Sequence, residues 1–280
     1  MRIVEATSLM RQFSAERRAA GRRLGLVPTM GALHEGHLSL IRRARKDCGA
    51  VAVSLFVNPT QFGPAEDLEK YPRTFAADRA ACEELGADVL FAPKAEEMYQ
   101  PDAETFVVQD RLAAVLEGAS RPTHFRGVLT VVLKLFNIIA PDVAYFGQKD
   151  YQQTVVIRRM VRDLDVPVEI AVLPTVREPD GLAMSSRNRY LSADERRQAV
   201  CVYQALELAR SRFARGERSA ERLLAEMRGR IDKERAARID YVQVVESDTL
   251  RPVEQAKTGD VALAAVFVGT TRLIDNVVLT

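Results

Sequence analysis

The chain has 280 residues, a length that predicts about two domains and leaves room for a sizeable core. Hydrophobic residues make up 47% of the chain and charged residues 28%, which excludes a disordered or collagen-like protein. The formal net charge of +2 lacks the basic excess that is typical of nucleic-acid binders, so we expect no nucleic-acid partner.

The first part of the chain alternates short apolar runs with helical stretches, the pattern of βαβ units around a parallel sheet. The apolar runs predict strands over residues 24–28, 51–57, 89–92, 143–146 and 168–172. The most apolar helix is predicted over residues 125–139 and ends before Pro141. Right-handed crossovers would join these units into a doubly wound, Rossmann-like α/β sheet.

A turn-rich loop over residues 174–188 separates this part from a tail with a different pattern. Apolar residues at helical spacing predict helices over residues 193–215 and 219–236, and strands follow over 241–245, 261–268 and 273–279. The last two strands flank a predicted turn over residues 269–271. We therefore expect a nucleotide- and substrate-binding domain over residues 1–175 and a smaller α+β lid domain over residues 176–280.

The cysteines and the hydropathy pattern bear on the location of the protein. Cys48, Cys82 and Cys201 lie far apart and form no CxxC pair, which disfavours a disulfide framework and a cysteine zinc site. No apolar run approaches the roughly 20 residues that a membrane-spanning helix needs. The sequence predicts a cytoplasmic protein without a membrane partner.

Two of the three histidines, His34 and His37, follow the first predicted strand in PTMGALHEGH. A helix that begins near Gly36 would direct its unpaired N–H groups and the positive end of its dipole toward a phosphate. Gly31 and Gly36 lack a Cβ and so let the backbone approach such a ligand. A simpler interpretation is that His34 caps a turn and His37 packs on the sheet, although ligands of α/β folds bind at such strand ends. A metalloprotease is excluded because HEGH lacks the HExxH spacing and His124 is remote in sequence.

Two further predicted strands end in polar segments. Asn58 and Gln61, in VNPTQF, would suit a hydroxyl-bearing or carboxylate ligand, although an Asx-type turn would also use them. Lys149, in YFGQKDYQQ, could meet phosphate oxygens, although an isolated lysine is usually solvated. Asp150 is a candidate N-cap for the helix that follows. Because parallel strands end at one edge of a sheet, we expect these loops to share one crevice with PTMGALHEGH.

A fourth segment, MSSRN at residues 184–188, lies in the turn-rich connection to the tail. Its two hydroxyls and Arg187 could close over a polyphosphate as a mobile clamp. Polar residues are common in loops, so this segment indicates little by itself.

Five blocks of the chain, taken together, point to one known family. They are PTMGALHEGHLSLI, VSLFVNPTQFGPAEDLEKYPRT, HFRGVLTVVLKLFNII, PDVAYFGQKDYQQTVVIRRMVRDL and REPDGLAMSSRNRYLS, in that order from Pro28 to Ser192. In these blocks the chain resembles the pantothenate synthetase family, the pantoate–β-alanine ligases of coenzyme A biosynthesis, within the nucleotidyltransferase superfamily that carries HIGH-type motifs. The resemblance implies that pantoate attacks the α-phosphorus of ATP to give pantoyl adenylate and pyrophosphate, and that β-alanine then displaces AMP. It also implies a homodimer.

The resemblance further implies roles for individual residues. The residues that it assigns to ATP binding are Met30, Gly31, Ala32, Leu33, His34, Glu35, Gly36, His37, Gly147, Gln148, Lys149, Asp150, Val176, Met184, Ser185, Ser186 and Arg187. The catalytic residues among them are His34, His37, Lys149 and Arg187, with His37 as a proton donor. Gln61 and Gln153 match the glutamines that hold pantoate, and Asn58 is a further candidate for substrate binding.

The resemblance also bears on a magnesium site and a flap. Relatives carry further acidic residues just before the position of Asp78, in a stretch that helps to hold magnesium. Here residues 75–77 are Phe-Ala-Ala, so Asp78 is the only candidate ligand for Mg²⁺ in that stretch. Residues 63–75 resemble the flap that covers the site.

Two alternatives remain at this point. A cytidylyl- or adenylyltransferase would use the same HxGH loop, but it would need neither a two-glutamine pocket nor an amine acceptor. A non-enzyme alternative, a nucleotide-binding regulatory or RNA-binding module, is suggested only by arginine pairs, and the nearly neutral net charge opposes nucleic-acid binding.

Overall fold

The computed structural model of the chain describes residues 1–64, 66 and 68–280. Ala65 and Asp67, in the segment predicted to be a flap, lie outside the described residues. The chain divides into two compact units, of which the first contains Met1–Gly147 and Val156–Leu173 and the second contains Gln148–Val155 and Pro174–Thr280. The division into domains after residue 175 stays a proposal.

The first unit is built on a six-stranded parallel sheet with the strand order β1-β4-β3-β2-β5-β6. Its strands are β1 (Arg2–Val4), β2 (Leu24–Thr29), β3 (Ala50–Leu55), β4 (Val89–Phe91), β5 (Val143–Gly147) and β6 (Glu169–Leu173). Strands β2 and β3 are buried almost throughout, as parallel strands that are covered on both faces should be. The prediction of a doubly wound, Rossmann-like α/β sheet is confirmed. Strand β1 was not predicted, because a three-residue strand with two exposed side chains has no detectable apolar pattern.

Helices flank this sheet. They are α1 (Thr7–Ala19), α2 (Glu35–Asp47), α3 (Phe75–Glu84), α4 (Ala95–Met98), α5 (Glu117–Ser120), α6 (His124–Ile139) and α7 (Tyr151–Asp163). Helix α2 buries Leu40, Ile41 and Ala44 at helical spacing and contacts β2, β3 and β5. Helix α6 ends where Ala140 adopts a left-handed φ of 46°, directly before a proline that cannot continue the helix.

The second unit is an α+β layer structure, as predicted. It contains α8 (Ala193–Gln198), α9 (Cys201–Ala214), α10 (Ala220–Ile231), β7 (Ala237–Val245), β8 (Val261–Val268) and β9 (Thr271–Val278), and its strands form an antiparallel sheet in the order β7-β8-β9. Helices α9 and α10 pack on this sheet. The helix predicted over residues 193–215 is in fact two helices, with a break at Ala199 and Val200. The sequence did not reveal the break, because buried apolar residues continue through it. Gly269 takes a φ of 58° at the turn between β8 and β9, which confirms the predicted hairpin.

Among the residues that the structure describes, no helix has both the length and the apolar character that crossing a membrane requires.

Candidate active site

The carboxyl ends of three neighbouring strands lie at the same edge of the parallel sheet. Strand β2 pairs with β3 on one side and with β5 on the other, and both pairings are parallel. The segment PTMGALHEGH leaves the end of β2, the NPTQ turn follows β3, and Gly147 ends β5. Ligands of open α/β sheets bind at such an edge, where the strand order changes direction. These three strands therefore end at one edge of the sheet, as predicted.

The loop after β2 is held in an unusual conformation by Asp78. Gly31 has a φ of 88° and Ala32 a φ of 51°, and the left-handed conformation is costly for alanine. The carboxylate of Asp78, in α3, accepts hydrogen bonds from the backbone N–H of Ala32 at 3.0 Å and of Leu33 at 2.8 Å. It also accepts from the Thr74 hydroxyl at 3.0 Å. Asp78 therefore fixes the backbone that leads to the histidine pair.

His34 and His37 form the first turn of helix α2. Nδ1 of His34 accepts from the backbone N–H of Gly36 at 3.2 Å, and Nδ1 of His37 accepts from that of His34 at 3.4 Å. The ring centroids lie 4.2 Å apart. Because Nδ1 is an acceptor in both rings, the geometry assigns the proton of each neutral imidazole to Nε2. The capping role of His34 in the simpler interpretation is present, and His37 completes a capping box with it.

Asn58 organises the turn that follows β3. Its side chain is 1% exposed, and its Nδ2 donates to Oε1 of Gln61 at 3.1 Å and to the carbonyl of Gly127 at 3.2 Å. Its Oδ1 accepts from the backbone of Thr60 and, at 2.9 Å, from the hydroxyl of Tyr99. The Asx-type turn that the sequence left open is thus formed. A direct contact between Asn58 and a substrate stays a prediction.

Gln61 is fixed from both ends. Its Nε2 donates to Sδ of Met30 at 2.9 Å, which joins the NPTQ turn to the loop after β2. Its backbone carbonyl accepts from Nδ1 of His124 at 3.0 Å. Burial lowers the pKa of His124 to about 4, and the charge of Arg121 adds to this effect, so the ring is neutral at pH 7. Sequence reasoning missed this role, because the spacing of His124 from the other histidines carries no sign of a contact 63 residues away.

The segment after β5 forms a single 3₁₀ turn, Gln148–Asp150, and helix α7 begins directly after it. The side chain of Lys149 is only 21% exposed, and its Nζ lies 3.3 Å from Oδ1 of Asp150. Nδ2 of Asn276 donates to the carbonyls of Gln148 at 2.9 Å and of Lys149 at 3.0 Å. Gln153 lies half-buried in the first turn of α7. The side chain of Lys149 is therefore partly shielded from solvent, and Asn276 is a second residue that sequence reasoning missed.

The remaining predicted ATP residues form one continuous structure in the second unit. The backbone N–H of Met184 donates to the carbonyl of Val176 at 3.0 Å, so the two predicted nucleotide contacts are neighbours. Oγ of Ser185 accepts from the backbone N–H of Arg187 at 3.3 Å and caps the 3₁₀ helix Ser186–Tyr190. The segment predicted to be a mobile clamp thus has regular hydrogen bonds of its own.

The residues of the site do not fit a magnesium ion held by protein ligands. In the described part of the chain there is no group of three or more His, Cys, Asp or Glu side chains that could hold a metal ion. Asp78 is 2% exposed, and its two oxygens already accept three hydrogen bonds. Magnesium needs open carboxylate oxygens in near-octahedral geometry. Magnesium binding by Asp78 stays a prediction, and the contacts of Asp78 favour a loop-holding role.

Comparisons of the sequence and of the structure with known proteins all point to one family. Residues 2–278 match the model of the family described as pantoate-beta-alanine ligase. A pantothenate synthetase of Thermotoga petrophila is 53% identical over 279 residues, which cover 100% of both chains. The crystal structure of the pantothenate synthetase from Thermus thermophilus is 46% identical, with a TM-score of 0.94 over 100% of this chain and 99% of that one. A pantoate-beta-alanine ligase from Francisella tularensis, in complex with beta-gamma ATP and β-alanine, is 35% identical, with a TM-score of 0.79 over 99% and 97% of the two chains.

Proposed function

The chain belongs to the pantoate–β-alanine ligase family, and on that premise we propose how it performs the ATP-dependent condensation of pantoate with β-alanine. The observation that carries the proposal is the HxGH turn, which begins a helix at the carboxyl edge of the parallel sheet. The N-terminal end of a helix is suited to the phosphates of ATP, because its backbone N–H groups and the positive end of its dipole favour negative charge.

The reaction proceeds in two displacements. In the first, a carboxylate oxygen of pantoate attacks the α-phosphorus of ATP, the bond to the β-phosphate oxygen breaks, and pyrophosphate leaves. In the second, the amine of β-alanine attacks the carbonyl carbon of pantoyl adenylate, the bond from that carbon to the phosphate oxygen breaks, and AMP leaves with the electron pair. The amine proton passes to solvent. The protein contributes positioning and charge stabilisation and needs no covalent bond to substrate.

His34 and His37 act on the phosphates in this proposal. Their Nδ1 atoms are engaged as acceptors in the capping box, which leaves Nε2–H as the donor of each ring. Two such donors at a helix N-terminus stabilise the negative charge that develops on the phosphate oxygens in the transition state. His37 is proposed to donate a hydrogen bond from Nε2–H to the leaving pyrophosphate while the ring keeps its proton, because a neutral imidazole that lost it would become an imidazolate.

Gln61 and Gln153 bind pantoate through their amides. The support for Gln61 is its orientation, since Asn58 and Met30 fix both ends of its side-chain amide. A fixed amide presents a hydrogen-bonding edge that a hydroxyl or a carboxylate can recognise without an added charge. Asn58 acts on pantoate through Gln61.

Two segments of the second unit are also proposed to bind the nucleotide. Lys149 contributes a positive charge to the phosphates, and Gln148 and Asp150 frame it. Val176 offers backbone to the adenine, and residues 184–187 close on the phosphates with Arg187 as a further cation. A guanidinium and an ammonium together oppose the charge of the leaving pyrophosphate.

Magnesium is proposed to enter with ATP and to neutralise its phosphates, since the described side chains do not fit a protein-bound ion. We further propose a homodimer that works in the cytoplasm and binds no nucleic acid. The near-neutral net charge supports the absence of nucleic-acid binding.

The test measures pyrophosphate and pantothenate together. Pyrophosphate release is followed with ATP, magnesium and pantoate, with and without β-alanine, and pantothenate and free AMP are quantified. We expect pantoate-dependent pyrophosphate in both cases, and pantothenate with an equal amount of AMP only with β-alanine. A final product that keeps the nucleotide attached even when β-alanine is present would identify a nucleotidyltransferase and contradict the proposal.

A further inference from the structure

Two adjacent polar residues on the last strand lie outside every segment to which the sequence analysis assigned a function. Asp275 and Asn276, in β9, are 4% and 2% exposed. Because successive side chains of a strand point to opposite faces, the two residues face opposite sides of the sheet of the second unit. Strand β9 contacts both the turn Gln148–Asp150, called here the lysine turn, and the 3₁₀ helix Ser186–Tyr190. The strand thus lies against two of the segments that are proposed to bind ATP.

The side chain of Asn276 binds the lysine turn at three points. Its Nδ2 donates to the carbonyls of Gln148 and Lys149, and its Oδ1 accepts from Nε2 of Gln148 at 3.3 Å. Each donor hydrogen and the acceptor oxygen of this buried amide therefore has a partner. Asparagine suits the position because a carboxylate of the same size would face two carbonyl oxygens with no hydrogen to donate.

Asp275 anchors the other segment. Its oxygens accept two hydrogen bonds from Arg177, at 2.6 and 3.0 Å, and Arg177 adjoins Val176 in the chain. Burial raises the pKa of Asp275, whereas the charges of Arg177 and of Lys149 favour its ionised form. A buried pair of this kind is costly to break, so the backbone around Val176 is firmly tied to β9.

We propose that Asn276 is a positioning residue for Lys149. It fixes the backbone from which Lys149 extends, so that the ammonium group meets the phosphates of ATP at the moment when charge develops on them. This inference rests on the proposed role of Lys149. A lysine side chain is long and flexible, so the precision of its charge depends on where its backbone is held. A misplacement of about 1 Å in a catalytic group can cost about 10²-fold in rate.

The test is a double-mutant cycle on the first half-reaction. Pyrophosphate formation in a single turnover is measured for the wild-type protein, Asn276→Ala, Lys149→Ala and the double variant. We expect Asn276→Ala to lower the rate by about 10- to 10²-fold while the KM for pantoate stays within about twofold, because a contact made only in the transition state changes kcat. In the Lys149→Ala background the same change should alter the rate by less than about twofold, because the group that Asn276 positions is gone.

Leu273→Ala is the matched control. Leu273 lies on the same strand, in the hydrophobic core of the second unit, and faces the side opposite to Asn276. The substitution removes core packing in the second unit but no contact with the lysine turn. The rate of pyrophosphate formation should therefore change by less than about twofold, both in the wild-type protein and in the Lys149→Ala variant. Asn276→Ser, which keeps one donor, should give an intermediate loss. Equal losses for Asn276→Ala with and without Lys149, or the same loss in Leu273→Ala, would overturn the proposal.

Hydrogen–deuterium exchange separates this inference from the proposed function. Exchange of the peptide over residues 147–153 should rise in Asn276→Ala and stay unchanged in Leu273→Ala. If the wild-type protein forms no pantothenate, the proposed function fails, and the exchange result still decides whether Asn276 holds the turn. Unchanged exchange in Asn276→Ala would overturn the positioning role in either case.

Discussion

At the scale of single residues, the candidate site depends on backbone conformations that distant side chains impose. Ala32 occupies a left-handed conformation that costs an alanine on the order of 1–3 kcal/mol. Asp78 offsets that cost through two charge-assisted hydrogen bonds to the same short stretch of backbone. Strain of this kind persists only where its surroundings enforce it, and it gathers at functional sites.

Replacing Asp78 by asparagine should disturb this loop without changing the size of the side chain. An amide has one acceptor oxygen, so its NH₂ group would face a backbone N–H and leave that buried donor unsatisfied. Such a loss costs about 1–3 kcal/mol. We expect Asp78→Asn to weaken ATP binding by about 10- to 10²-fold, measured by isothermal titration calorimetry, while Asp110→Asn, at an exposed position, changes nothing.

The same variant decides between the two roles of Asp78. If Asp78 holds the loop, the variant and the wild-type protein should reach half of their maximal rates at the same Mg²⁺ concentration. Recovery of the variant at high Mg²⁺ would show instead that Asp78 is a metal ligand.

Residue identities were predictable only where the chain itself brings them together. His34, His37 and their glycines are contiguous, so the phosphate-binding character of their turn could be inferred from a few residues. Asp78 acts across 46 positions on Ala32, and only the fold supplies that proximity. The family resemblance made Asp78 a candidate magnesium ligand, whereas its contacts are backbone N–H groups and a hydroxyl.

At the scale of elements, helix α6 and the NPTQ turn fit together at a glycine. A Cβ on Gly127 would lie 2.4 Å from the carbonyl oxygen of Thr60 and 2.6 Å from Cα of Gln61. The missing side chain therefore lets the helix lie directly on the turn that carries Gln61. His124, one turn earlier on the same helix, completes the contact.

Gly127→Ala should separate the helix from the turn. Overpacking of this kind costs about 1–3 kcal/mol of stability. We expect the KM for pantoate to rise by about tenfold or more while the affinity for ATP stays within about twofold, because the displaced group is Gln61 and not the HxGH turn. Steady-state kinetics and calorimetry measure the two quantities.

Gly229→Ala is the matched control for this substitution. Gly229 lies in α10, and a Cβ there would meet no atom within 4 Å. Alanine should therefore stabilise the protein by about 0.5–1 kcal/mol through its higher helix propensity and leave the kinetics unchanged. A pantoate KM in Gly127→Ala equal to that of Gly229→Ala would contradict the role given to the helix.

Elements were predictable where burial follows a simple period. Five of the six parallel strands, β2 to β6, were found from their apolar runs within one or two residues of their observed ends. The break between α8 and α9 was missed, because Ala199, Cys201 and Val202 are all buried and the apolar pattern does not pause. Strand β7 begins at Ala237, four residues earlier than predicted. Its start was missed because the exposed charged residues Arg238 and Asp240 interrupt the apolar run there.

At the scale of the whole molecule, the buried imidazole of His124 makes stability depend on pH. Burial and Arg121 hold its pKa at about 4, below the 6.5 of an unperturbed histidine. Between these values the unfolded chain binds a proton that the folded protein does not. The contribution is therefore present above about pH 6.5 and is lost as the pH falls toward about 4.

His124→Asn tests this linkage, because asparagine can donate to the carbonyl of Gln61 but does not titrate. From pH 7 to pH 5 the wild-type protein should lose about 2 kcal/mol more of its unfolding free energy than the variant does. Urea denaturation at the two pH values gives the difference. Parallel losses in the two proteins would show that His124 already titrates normally in the folded state.

The most direct test of the whole account follows an oxygen atom through the reaction. Pantoate labelled with ¹⁸O in both carboxylate oxygens is incubated with ATP, magnesium, β-alanine and the protein, and the AMP is analysed by mass spectrometry. If the carboxylate attacks the α-phosphorus and β-alanine then breaks the carbon–oxygen bond, each AMP carries one ¹⁸O and each pantothenate keeps the other. AMP without label, or ADP and labelled inorganic phosphate in its place, would contradict the adenylate route.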